Sequence, residues 1–125
     1  NPSANAELSN FEKGKNFFTE KKYDLAKFKF EQDIVFNPKN ENSYLYLAKI
    51  YNKKRNDSQE EKNLKTVILL NPKNEEAIYD LTLLKIRKSN YEETKKLIKD
   101  FKTICKDLCM QTSELQNKLD TVLKK

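Results

Sequence analysis

The sequence predicts an all-α fold: a right-handed solenoid of three helix-turn-helix repeats, closed at its C-terminal end by one further helix. Three observations predict it. The tetrapeptide Asn-Pro-Lys-Asn occurs at positions 37–40 and again at 71–74, a spacing of 34 residues. That period belongs to helical hairpins that cannot bury their apolar faces alone and must stack on a neighbour. One Gly and three Pro in 125 residues, beside many Lys and Glu, favour helices over a β-sandwich or a Rossmann-type sheet. Apolar residues also recur with a period close to 3.6 along most of the chain. A single domain over residues 1–125 is expected, with repeats at about 7–40, 41–74 and 75–108 and a capping helix at about 113–124.

The first unit opens with a helix carrying Phe11, Phe17 and Phe18, and Gly14 sits where a second helix can approach closely. A turn at Glu20-Lys21-Lys22 leads to a second helix with Leu25, Ala26, Phe30 and Ile34 on its apolar stripe, and Pro38 follows where that helix has already ended. In the second unit Tyr44, Leu47, Ala48 and Tyr51 form one stripe at i, i+3, i+4, i+7. The turn is Lys54-Arg55-Asn56, and Asp57 with Glu60 three residues on reads as a capping box. Leu64, Val67, Ile68 and Leu70 then run to Pro72. The third unit places Ile78, Leu81, Leu83 and Leu84 on its first helix. Asn90 with Glu93 caps the next, and Leu97, Ile98, Phe101 and Ile104 carry that helix to about Leu108. No proline follows it, so it is expected to run longer than its counterparts. Leu115, Leu119, Val122 and Leu123 give the last helix one apolar face, as a cap over the final repeat requires.

Net charge is +6, carried by 23 Lys and only two Arg, Arg55 and Arg87. With 14 Asn, this composition suggests an AT-rich coding bias and weakens any step from charge to nucleic acid, whose readers favour Arg for bidentate contacts. Cys105 and Cys109 stand at i, i+4, which on a continuous helix puts both thiols on one face and suits a disulfide poorly. They read as two small buried hydrophobes. With no His in the chain, a structural metal site lacks its other ligands, and neither metal nor cofactor is expected. No nucleophile motif or Gly-rich phosphate loop is present, so catalysis is not expected. No apolar run approaches the ~20 residues that span a bilayer. The chain does not begin with Met, which reads as a processed product or a fragment, and leaves the compartment open between the cytoplasm and a bacterial envelope.

On these residues the chain resembles the tetratricopeptide-repeat (TPR) family. The first unit supplies Gly14, Phe17, Ala26, Phe30 and Pro38; the second Tyr44, Leu47, Ala48, Tyr51, Leu64 and Pro72; the degenerate third Ile78, Leu81, Tyr91 and Ile98. The resemblance covers about residues 7–106. Glu60 and Thr94 stand where the family favours Ala at the helix crossing, Asp33 at another small position, and Lys85 in place of Tyr, which predicts looser packing of the second and third units. Asn10 and Lys13 are polar where an earlier repeat would stack, as in a true first repeat.

The resemblance implies a concave groove lined by the first helix of each pair, and hence a module that binds a segment of another protein, peptide or helix. The groove positions read Phe11, Leu45 and Tyr79, then Lys15, Lys49 and Leu83, then Phe18, Asn52 and Ile86, each 34 apart. That is an apolar strip (Phe11, Phe18, Leu45, Tyr79, Leu83, Ile86) edged by Lys15 and Lys49. The same side chains read equally as inter-helix core, or as a surface covered by the chain's own termini. Some family members clamp the C-terminal carboxylate of chaperone tails. The matching positions here are Phe11, Lys15, Tyr46, Glu76 and Asp80, two of them acidic, so a chaperone tail is not expected as partner. The turns within the hairpins carry Lys21, Lys22, Lys53, Lys54, Arg55, Arg87 and Lys88, which reads either as a solvated edge or as a basic edge for an acidic partner or anionic lipid. The alternative role is therefore a scaffold subunit of a membrane-tethered bacterial envelope complex that uses this edge.

Overall fold

The computed structural model describes residues 7–124. Among the described residues seven α-helices follow one another: α1 (Asn10–Thr19), α2 (Tyr23–Phe36), α3 (Glu41–Lys53), α4 (Asp57–Leu70), α5 (Glu75–Arg87), α6 (Tyr91–Ile104) and, after a 3-10 turn at Cys109–Gln111, α7 (Thr112–Leu123). Among the described residues there is no strand. Each helix packs on the next, and α7 lies against both α5 and α6.

Side-chain caps start most of the helices. Ser9, Asn40, Asn56, Asn74 and Asn90 each accept a backbone N–H from the first turn of α1, α3, α4, α5 and α6, satisfying donors that the helix itself leaves orphaned. Asn90 and Glu93 form the reciprocal pair, since the Asn90 amide also donates to the Glu93 carboxylate at 3.3 Å. In α4 the cap is Asn56, accepting from the Gln59 N–H, and not the expected Asp57, which is the first helical residue.

The turns inside the three hairpins share one conformation. Lys21, Arg55 and Ser89, spaced by the same 34 residues, have φ of 61°, 57° and 60°. A side chain in this left-handed region costs roughly 1 kcal/mol that glycine avoids. Glycine at any one of the three is expected to raise stability by about 0.5–1 kcal/mol, measured as a higher urea midpoint at unchanged slope.

The core divides in two. Ala26, Phe30, Leu47 and Ile50 form an N-terminal cluster with Phe11, Phe17, Phe18 and Tyr46 packed around it. A larger cluster runs from Leu45 and Ala48 through Leu64, Leu84 and Phe101 to Leu115 and Leu119. Helix α3 is the partition, feeding residues to both. Leu25, read as part of the α2 stripe, instead lies half exposed, with Phe28, Val35 and Phe36 also on the outer surface of α2.

The polar residues at the crossings are paired rather than left as gaps. Glu60, Thr94, Lys85 and Asp33 are all buried, and each has a partner. The Asp33 carboxylate accepts from Asn37 at 3.0 Å, Asn40 at 2.8 Å and Ser43. Burial works against its charge, yet those donors hold its carboxyl below the usual range. The Thr94 hydroxyl donates to the Asn90 carbonyl at 2.7 Å. Helices α3 and α4 meet at least as closely as α1 and α2, so the expected looseness of the second unit is absent, whereas α5 and α6 meet less extensively, as expected of the third.

Carboxylates tie the start of a hairpin to the connection that follows it. Glu41 accepts from the amides of Asn71 (2.9 Å) and Asn74 (2.8 Å). Glu75, one period later, accepts from the backbone N–H groups of Lys106 (3.0 Å), Asp107 (3.0 Å) and Leu108 (2.7 Å). Those donors hold the Glu75 carboxyl below its ordinary range against the cost of burying it.

Two sequence expectations fail in this last connection. Helix α6 ends at Ile104 rather than near Leu108, and Cys105 and Cys109 are joined by a disulfide rather than buried as free thiols. The i, i+4 spacing disfavours a disulfide only on a continuous helix, and the helix does not continue through Cys105. Cys105 is in fact extended (φ −60°, ψ 150°), which brings the two Cα atoms to 5.2 Å.

Candidate functional site

Helices α1, α3 and α5 line one face of the stack because the 34-residue period returns the same helix surface to the same side. A cavity of about 500 Å³ opens there, with Phe18, Tyr23 and Leu83 as apolar wall and Lys49, Asn52, Glu60, Asp80 and Arg87 as polar floor. A smaller recess of about 290 Å³ adjoins it, bounded by Phe11, Lys15, Leu45, Tyr46, Lys49 and Glu76. A third cleft, about 790 Å³, lies between α5 and α7, where Leu83 and Ile86 face Glu114, Asn117, Lys118 and Val122.

The expected groove residues are distributed unevenly over these spaces. Phe18, Lys49 and Leu83 border the main cavity. Phe11 and Phe18 are half-buried in an aromatic cluster, their rings 6.0 Å and 5.1 Å from Tyr46. Lys15 is exposed and lies over the Phe11 ring, 5.1 Å from its centroid, where the cation meets the negative π face. Leu45 retains only 6% of its surface and belongs to the core floor. Tyr79 borders none of the three spaces. Its ring packs beside Phe101, and its hydroxyl donates to the Glu114 carboxylate of α7 at 3.0 Å. Burial first, then that carboxylate, push the Tyr79 phenol up to about 12.

Charge in the groove is organised around Lys49. Its ammonium stands 3.1 Å from Asp80 and 3.3 Å from Glu76. Burial disfavours the Lys49 charge, but the two carboxylates outweigh it and raise its pKa. Asp80 is buried more deeply than its cation can offset, and its carboxyl is raised. Glu60, 3% exposed, is likewise raised by burial, although Asn52 donates to it at 3.2 Å and Arg87 at 3.0 Å. Sequence reasoning placed Asn52 at a groove position, outside the apolar strip, and missed Glu60 and Tyr23 as lining residues. The only signal was that Glu60 occupies a position where the family pattern has Ala.

Most of the basic edge is engaged within the chain. Lys54 pairs with Asp24, Arg87 with Asp57 (3.4 Å) and Glu60, Lys88 with Glu61 (3.3 Å), and Lys22 with its neighbour Glu20 (2.9 Å). All but the last join consecutive repeats, 27 or 30 residues apart. Lys21 and Lys53 border the main cavity instead, and Arg55 sits at the left-handed turn position. Among the described residues no group of three or more His, Cys, Asp or Glu is placed to hold a metal ion, and no helix is long and apolar enough to cross a membrane.

No protein-family model matches the sequence, and no curated protein sequence matches it. Solved structures do. The first TPR of Spaghetti (RPAP3) bound to the HSP90 peptide SRMEEVD superposes with a TM-score of 0.82 at 22% identity, covering 93% of this chain and 91% of that one. The second TPR domain of human RPAP3, in complex with the HSP70 peptide SGPTIEEVD, gives 0.73 at 20% identity over 86% and 92%. The Sgt2 TPR domain from Aspergillus fumigatus gives 0.76 at 15% identity over 93% and 80%.

These matches correct the exclusion of chaperone tails, since two of the three structures hold peptides ending in EEVD. The physical reason lies in the clamp positions. The exclusion treated Glu76 and Asp80 as free carboxylates facing an incoming tail, whereas both are held by the Lys49 ammonium. Seven helices, a 34-residue period, stacked hairpins and these superpositions agree: the chain has the fold of a tetratricopeptide-repeat domain.

Proposed function

We propose that this domain is a protein-interaction module that holds a segment of a partner protein along the face made by α1, α3 and α5. The observation that carries this reading is the cavity of about 500 Å³ on that face, apolar at Phe18, Tyr23 and Leu83 and polar at Lys49, Asn52 and Arg87. Such a mixture suits a peptide with one or two apolar anchors whose backbone finds donors and acceptors beside them. TPR domains of the same fold hold HSP90 and HSP70 peptides, so acidic tails belong among the ligands to be measured. Lys15, Lys21 and Lys53 add exposed positive charge at the rim. The groove is favoured over the basic edge because four of the edge cations are already met by carboxylates of the chain.

Leu83 is the residue on which to test this. It borders both the main cavity and the cleft beside α7 and is only half-buried. Leu45 and Tyr79 would report damage to the core or to α7 docking. Binding of an amphipathic helix, an extended apolar-anchored peptide and the SRMEEVD tail would be followed by fluorescence anisotropy. At least one is expected to bind with micromolar affinity, and Leu83→Asp to weaken it at least ~10-fold at unchanged melting temperature. Undiminished affinity in Leu83→Asp, or no binding by any of the three, would reject the groove.

A further inference from the structure

We propose that the Cys105–Cys109 disulfide is a thiol-controlled latch on the capping helix α7 and, through it, on the C-terminal wall of the groove. The first two inter-repeat connections are Asn-Pro-Lys-Asn, and in both the proline makes further helix impossible. The third connection puts Cys105-Lys106-Asp107-Leu108 in the same register, 34 residues after Asn71-Pro72-Lys73-Asn74. It contains neither Pro nor Gly. The apolar stripe Leu97, Phe101, Ile104, Leu108 continues across it at helical spacing, so the sequence by itself favours another turn of α6.

The helix nevertheless stops at Ile104, and the bond between Cys105 and Cys109 closes a small ring over the connection. Inside that ring the N–H groups of Lys106, Asp107 and Leu108 turn together onto the Glu75 carboxylate. In a continued helix the same three groups would bond to carbonyls four residues earlier. The two arrangements exclude each other, and the disulfide selects the ring. Only the 3-10 turn Cys109–Gln111 separates the ring from α7, so the ring fixes where α7 begins. Helix α7 in turn buries Leu115 and Leu119 in the main core, accepts the Tyr79 hydroxyl at Glu114 and faces Leu83 and Ile86 across the cleft.

A dithiol reductant opens the latch. Its thiolate attacks the Cys109 sulfur, the more exposed of the two, and Cys105 leaves as a thiolate that takes up a proton. The second thiol of the reductant attacks the mixed disulfide, Cys109 leaves and is protonated, and the reductant departs as its own disulfide. The protein gains two electrons and two protons, and the reductant loses them. With the ring gone, α6 is free to extend through Leu108, the Glu75 contacts are given up, and α7 loses its fixed starting point.

The test uses the intact protein and needs no partner, so it is independent of whether the groove reading, on which the latch's effect on binding rests, is right. Amide hydrogen exchange would be compared between the oxidised protein, the protein in excess dithiothreitol, and the Cys105→Ser/Cys109→Ser double variant. Reduction is expected to raise exchange of the α7 amides at least ~10-fold, leave α1–α4 within about twofold, and move the Cα chemical shifts of residues 105–108 to helical values. The double variant should match the reduced protein under either condition. Exchange of α7 that stays within about twofold on reduction, or residues 105–108 that stay non-helical, would overturn the latch. Should the latch hold and every peptide fail to bind, only the groove reading falls.

Discussion

Replacing Phe30 with alanine is expected to remove about 3–5 kcal/mol of stability and to melt the first hairpin ahead of the rest. The ring is fully buried, stacks on Tyr46 at 5.0 Å with 9° between planes, and lies 5.8 Å from Phe11. It also fills the space left by Gly14, where a Cβ would stand 2.7 Å from its edge. No smaller side chain reaches that notch, and the cavity would be walled by three different helices that cannot all collapse inward. Domains of this size have about 5–15 kcal/mol in total. The loss falls on the N-terminal cluster, which α3 separates from the larger core. Urea unfolding followed by far-UV circular dichroism should therefore become two-step, with the first step confined to α1 and α2 by hydrogen exchange. A single transition shifted by less than about 1 kcal/mol would mean that the first hairpin relaxes around the gap.

Lys85→Ala is the second large effect, a loss of about 3 kcal/mol at neutral pH. The Lys85 side chain is 7% exposed, with its ammonium 3.1 Å from Glu61 and 3.3 Å from Glu93. Removing it leaves Glu93 without its cation and Glu61 with only Lys65 and Lys88. The pH dependence separates this from simple loss of packing. Hydrogen bonding by Lys65 foremost, with Lys85 and Lys88 adding to it, holds Glu61 at about 2 in the fold, against an ordinary value of 4.5. A depressed carboxyl contributes stability that is fully present above its unfolded value and is lost as pH falls toward its folded one. That contribution should therefore fade between about pH 4.5 and 2, and the gap between wild type and Lys85→Ala should narrow over the same window. Glu60 and Asp80 act with the opposite sign. Their raised values mean that acidification first relieves buried charge in the groove, so stability is expected to rise slightly below neutrality before Glu61 is dismantled. A gap between the two proteins that is as wide at pH 2.5 as at pH 7 would show that Lys85 acts by filling space.

The helices were legible because their signals are local: a 3.6 period, caps within one turn, prolines at the two matched stops. Asn90 with Glu93 is a case in point. Asn56 and Asp57 are both competent caps, and only the entry angle of the chain chooses the first. What stayed hidden depends mostly on partners in a neighbouring repeat. Glu60, Lys85 and Thr94 looked like misfits at crossings, but Arg87, Glu61 and the Asn90 carbonyl complete them. Glu76 and Asp80 looked like free charges because nothing in their own helix announces Lys49. The end of α6 was unreadable for a different reason: the propensities of residues 105–108 point to helix, and a covalent bond within the connection overrides them. Period alone assigned Leu45 and Tyr79 to the concave face, but depth depends on how the hairpins close on one another, and α7 comes to lie over Tyr79.

Glu41 and Glu75 each tie the first residue of a hairpin to the connection that follows it, and no further. Tension applied between the two ends of the chain would therefore load these clasps in series, never side by side. Each would have to yield on its own, releasing one hairpin at a time, so the molecule would lengthen in discrete steps, as a row of buttons gives way under strain.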